Sequence, residues 1–156
     1  MQHVPPAFSV PPHIRYGRED ELHIWFTDPP GAIVQMSKPQ RGTVDQARWL
    51  VGPGMALLKQ RFPEAKQIVI VLDYRNMTSR DLAARTVLIE SASETAKYFS
   101  GVFIVPPLQT SKVYRVTLEA AAVLVSALGT RIAIVDSLTS VLVEQGLQVS
   151  AAEPAR

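Results

Sequence analysis

The sequence predicts a single α/β domain with a mixed, mostly parallel sheet and elements in the order β-β-α-β-α-β-α-β-α. Three observations carry this reading. Short, almost wholly aliphatic runs, "QIVIVLDY" (67–74), "GVFIVPP" (101–107) and "RIAIVD" (131–136), read as strands covered on both faces. Helical patterns separate those runs, and strands alternating with helices imply right-handed crossovers and parallel neighbours. Near the start, two β-prone runs flank Asp-Pro-Pro-Gly, which adds an antiparallel hairpin at one side.

Residues 1–14 hold four of the twelve prolines as two Pro-Pro pairs, and proline removes donors and disfavours helix, so a flexible arm is expected there. The domain is expected over 15–150, with a frayed tail over 151–156. "ELHIWFT" and "AIVQMSK" are the hairpin strands, rich in residues that suit a pleated surface. Thr43 is a good N-cap for the first helix, and Gln46 sits where a capping-box partner belongs. Gly52-Pro53-Gly54 is expected to break or kink that helix, which resumes with Met55, Leu58 and Phe62 and stops near Pro63.

After the strand at 67–74, a second helix is expected from Ser79 to Phe99, with Leu82, Leu88, Ala92, Ala96 and Phe99 at helical spacing. A third is expected over 111–128, closed by Gly129. A short last helix, "SLTSVLVEQG", ends at Gly146.

With 156 residues, 47% of them hydrophobic and 19% charged, the chain can bury a core without staples. It has no cysteine, which excludes disulfides, thiolate metal sites and cysteine nucleophiles and fits a cytoplasmic protein. A net charge of +2, with Arg15, Arg18, Lys38, Arg41 and Arg48 interleaved with Glu19, Asp20, Glu21, Asp28 and Asp45, argues against a nucleic-acid track. The apolar runs fall short of the roughly 18 residues a membrane span needs, and the start lacks the pattern of a signal peptide.

No set of catalytic residues stands out. There is no Gly-x-Ser-x-Gly elbow, no P-loop and no Gly-rich dinucleotide fingerprint. His3, His13 and His23 have no convergent partners at metal-ligand spacing. The expectation is a protein without metal or cofactor, and not an enzyme.

Two junctions between a strand end and a helix start are candidate sites, because ligands of open α/β sheets bind there. The first comprises Asp73, Arg75, Met77, Thr78, Ser79, Arg80 and Asp81; the second comprises Gln109, Thr110, Ser111 and Lys112. Helix capping by Thr78 or Ser79, and dipole compensation by Asp81, explain the first junction without a ligand. Trp25 and Trp49 are read as core residues first and pocket residues second.

The element order over about 20–148 resembles the STAS fold of anti-sigma-factor antagonists, and more loosely the SpoIIAA-like proteins and the CRAL-TRIO lipid-transfer domains. The antagonists carry a D-x₇-D-S-S-G-L pattern after their third strand, with a phosphorylated serine. Asp73 and Asp81 keep the spacing, but Leu82, Ala83 and Ala84 stand where that family shows Ser-Ser-Gly. The resemblance therefore implies a divergent relative without the usual switch serine, in which Thr78 and Ser79 are the nearby hydroxyls.

It implies a regulatory, protein-binding module that presents residues 75–82 to a partner, with Met77 or Leu82 as apolar anchors if exposed. Self-association into a homodimer is a further expectation. The alternative is a domain that binds a small apolar molecule or lipid, with a pocket opened by the Gly-Pro-Gly break and the aliphatic helix at 113–128.

Overall fold

The computed structural model describes residues 3–65, 67–108 and 131–150. A sheet of seven strands runs in the order β1-β2-β3-β5-β7-β8, with β9 also pairing β2. The strands are β1 (Ile14–Tyr16), β2 (Leu22–Asp28), β3 (Gly31–Met36), β5 (Ile68–Asp73), β7 (Phe99–Val105), β8 (Ile132–Ile134) and β9 (Gln148–Val149). A second, two-stranded parallel sheet pairs β4 (Gln40–Gly42) with β6 (Met77–Arg80). The helices are α1 (Val44–Trp49), α2 (Met55–Arg61), α3 (Leu82–Thr95) and α4 (Leu138–Gln145).

The hairpin forms as expected, with β2 and β3 antiparallel from Leu22↔Met36 to Thr27↔Gly31. Gly31 is required there: a Cβ would lie 2.6 Å from both Thr27 Oγ1 and the Val69 carbonyl oxygen, so only glycine lets the turn close against β5. β3, β5, β7 and β8 are parallel neighbours. All six residues of β3 are buried, which accounts for its mostly apolar character, with Gln35 as the one polar side chain of the strand.

Alternation along the strands divides the core into two layers. Ile24, Phe26, Ala32, Val34 and Ile70 face Met55 and Leu58 of α2. Ile33, Val71, Phe103 and Val105 face Leu138 and Val141 of α4, with Ala7 and Phe8 packed beside them. Trp25 is fully buried and meets the Phe8 ring edge-on at 5.0 Å.

Three local expectations are corrected. Residues 4–13 are laid along the sheet where a flexible arm was expected. The Gln35 and Asn76 carboxamides act as clamps: Gln35 accepts from Ala7 N–H and donates to the Pro5 carbonyl, and Asn76 does the same with both backbone groups of Val4.

The α-helical pattern is interrupted at Gly-Pro-Gly, as expected. α1 passes into α2 through a π-helical turn, Leu50–Gly54, which widens the backbone around Pro53, a residue with no N–H to give.

Residues 77–80 form a strand where the start of a helix was expected. The backbone of β4 pairs with them, and Asp81 N–H donates to the Gly42 carbonyl at 2.9 Å, so α3 starts only at Leu82. Phe99 belongs to β7, not to the preceding helix.

The Thr43–Gln46 capping box is present in both directions, at 3.2 Å each. Gly146 closes α4 at φ +62°. The helix expected at 111–128 lies outside the described residues. No helix among the described residues is long and apolar enough to cross a membrane.

Candidate functional site

The first junction divides between the two faces of the sheet. Asp73 closes β5 on the arm side and is 1% exposed. Its carboxylate accepts from Arg75 Nε at 2.8 Å, Arg75 Nη2 at 2.7 Å, Arg75 N–H at 3.2 Å and Gln35 Nε2 at 3.2 Å. Four donors satisfy this buried charge, and the paired carboxylate holds the Arg75 guanidinium above its ordinary range. The pair is consumed in structure and leaves no free oxygen for a substrate.

Met77 is 6% exposed and packs with Leu22, Met36 and Tyr74, so it is not a surface anchor. Thr78 and Ser79 are exposed on β6. Arg80 lies over the Tyr74 ring, 4.7 Å from its centroid. Asp81 pairs with Arg41 at 3.0 Å. Leu82 is 81% exposed. The second junction, Gln109, Thr110, Ser111 and Lys112, lies outside the described residues.

Leu72, Tyr74, Arg80, Asp81 and Leu82 point instead to the helical face, where they border a cavity of about 370 Å³. Its floor is the sheet: Ile24, Phe26, Val34, Ile70, Leu72, Val102 and Ile104. One wall is the α1–α2 rod, with Trp49, Leu50, Gly54, Met55 and Leu58; the other is α3, with Arg85, Leu88, Ile89, Ala92 and Thr95.

The π turn shapes the first wall. Gly54 leaves room for the Trp49 ring, since a Cβ would sit 3.2 Å from Trp49 Cζ3. Tyr16 stacks on the same ring at 4.7 Å. Both contacts fix the indole at the cavity edge. The volume falls in the roughly 300–1,000 Å³ range of small-molecule sites, and the lining is mostly aliphatic and aromatic, with the charged groups Arg80, Asp81 and Arg85 at one end.

Of the residues the sequence singled out at the first junction, Arg80 and Asp81 reach this cavity, while Asp73, Arg75 and Met77 do not. Arg85 and the lining of α3 escaped sequence reasoning. The usable signal was the Gly-Pro-Gly interruption beside Trp49. His13 accepts from Phe26 N–H at 3.1 Å, and His23 packs edge-on against Trp25, while His13 Nε2 and His23 Nδ1 are buried without a hydrogen-bond partner among the described residues. Among the described residues no group of three His, Cys, Asp or Glu side chains is placed to hold a metal.

No family model and no curated protein matches the chain. Among solved structures, an uncharacterized protein of the DUF3478 family from Shewanella loihica PV-4, with a SpoIIAA-like fold, is similar at 14% identity and a TM-score of 0.53, over 79% of this chain and 90% of that one. At that identity the likeness shows the fold, and the chain has a divergent SpoIIAA-like fold of the kind expected from its element order.

Proposed function

We propose that this SpoIIAA-like chain is a non-enzymatic binding domain whose cavity takes an apolar, lipid-like small molecule. The observation that supports it most is the cavity itself, walled by side chains that gain little from water. A dry apolar void forfeits dispersion contacts along its lining, and a hydrocarbon guest restores them. Each methylene moved from water into such a site contributes about 0.8 kcal/mol before the cost of association. The described lining is dominated by aliphatic and aromatic side chains, which supports a reading of binding.

The test is titration with the neutral dye Nile red. Saturable one-to-one binding, displaced by dodecanol and lost in an Ala92→Phe variant that keeps its circular dichroism spectrum, supports the proposal. Non-saturable binding, or full binding by Ala92→Phe, argues against it.

A second observation favours a coupled reading. Leu82 and Ile89 are exposed, at 81% and 53%, on the same helix that walls the cavity. They would offer apolar anchors to a protein partner, with the exposed Thr78 and Ser79 beside them. A regulatory module of this kind would lose its partner in Leu82→Asp; because Leu82 also borders the cavity, Nile red binding of the same variant is measured beside it.

A further inference from the structure

We infer that the cavity selects amphiphiles with a single anionic head, received by Arg80 and Arg85 at its mouth. The inference rests on the apolar-cavity reading above and adds the head group. The charged residues bordering the cavity, among those described, are Arg80, Asp81 and Arg85. Asp81 is already neutralised by Arg41 at 3.0 Å. Among the described residues, neither Arg80 nor Arg85 has a carboxylate within ion-pair range, whereas Arg75, Arg15, Lys38 and Arg41 each have one. The rim therefore carries two uncompensated guanidinium groups beside an apolar chamber.

Their placement suits an anion. Arg80 lies over the Tyr74 ring, which steadies the guanidinium through its face and leaves its N–H edges available. The planar fork matches two oxygens of a carboxylate or phosphate. Arg85 stands in the first turn of α3, a helix of 14 residues whose N-terminal end also favours negative charge. Further along α3 the lining turns apolar at Leu88, Ile89 and Ala92. Ser91 and Thr95 also line this stretch, but their hydroxyls donate to the Leu88 and Ser91 carbonyls, so formal charge falls along the helix and a ligand would lie with its head by Arg80 and Arg85 and its chain toward Ala92.

The experiment is isothermal titration calorimetry of the full chain with dodecanoate, dodecyl phosphate and dodecanol, each below its micellar concentration. The same titrations are run on an Arg80→Gln/Arg85→Gln double variant. The expected result is that at least one anionic probe binds wild type about tenfold or more tightly over dodecanol, and that the double variant loses this preference while still binding dodecanol. A preference for dodecanoate points to a free acid, and one for dodecyl phosphate to a phosphate head; either supports the inference. Equal binding of dodecanol and both anions, or a preference that survives in the double variant, overturns the head-group assignment and leaves the apolar cavity standing. Absence of binding by all three probes overturns both.

Discussion

Gln35 and Asp73 meet in the core at 3.2 Å, Nε2 to Oδ2, and this contact ties the N-terminal segment to the central strand pair. The other Gln35 amide hydrogen goes to the Pro5 carbonyl at 3.1 Å, and its oxygen accepts from Ala7 N–H at 3.0 Å. The Asp73 carboxylate is held at the same time by Arg75. One buried polar network therefore orders the junction after β5 and the segment before β1.

Removing Asp73 leaves Arg75 without its partner and Gln35 with an unmet donor. Breaking a buried pair from one side costs about 3–5 kcal/mol. Asp73→Ala is expected to lower the midpoint of thermal unfolding by roughly 6–15 °C. Asp73→Asn, which keeps an acceptor, is expected to lose less. Scanning calorimetry of the two variants checks the order.

Deleting residues 1–9 removes the Phe8 ring from Trp25, whose indole N–H otherwise donates to the Val10 carbonyl at 2.8 Å. Trp25 is expected to become partly wet. In a Trp49→Phe background its emission should shift to the red, and stability should fall by about 3 kcal/mol.

The two glycines of the π turn should respond oppositely. Gly54→Ala pushes a methyl group into Trp49, at 3.2 Å from both its ring and its carbonyl oxygen, and is expected to cost about 1–3 kcal/mol. Gly52 has open space where a Cβ would go, so Gly52→Ala should stabilise by about 0.5–1 kcal/mol through the less flexible unfolded chain. Urea midpoints of both variants decide it.

His23 sets a pH dependence. Burial, and then the nearby Arg15 charge, hold its imidazolium below the usual histidine range. The unfolded chain takes up a proton as pH falls through about 6.5, while the folded state resists until lower pH. Protonation therefore favours unfolding, and stability should decline below about pH 6.5 until the folded value is passed. His23→Gln should flatten the thermal midpoint between about pH 7 and about pH 5.

Much of this architecture was legible in local sequence. The Thr43–Gln46 capping box, the turn at Asp28–Gly31, the aliphatic run 68–72 and the Gly146 cap announce themselves within a few residues, because their bonds are local. What escaped depends on distant partners. The β4–β6 pair joins Gln40 to Met77, and Asn76 holds Val4 across 72 positions. Such pairings leave no period in the chain.

The pocket was expected from Gly-Pro-Gly and from the helix at 113–128, and the second lies outside the described residues. The cavity's other wall, α3, carries Leu82, Leu88 and Ile89 in a pattern that does not distinguish a packed face from the lining of a void. Met77 shows the same limit from the other side: an apolar residue at a junction reads as an anchor, and only the positions of Leu22, Met36 and Tyr74 reveal that it is enclosed.

The claim at the centre of this account is that the space between the sheet and α3 holds an apolar guest. Native mass spectrometry of the protein, purified without detergent from cells that naturally make it, tests that claim most directly. The expected spectrum shows a population carrying one extra mass that organic solvent releases as an apolar or amphiphilic molecule and that Ala92→Phe lacks. A chain that flies bare under gentle conditions, and stays bare after incubation with dodecanoate, dodecyl phosphate or dodecanol, would contradict it.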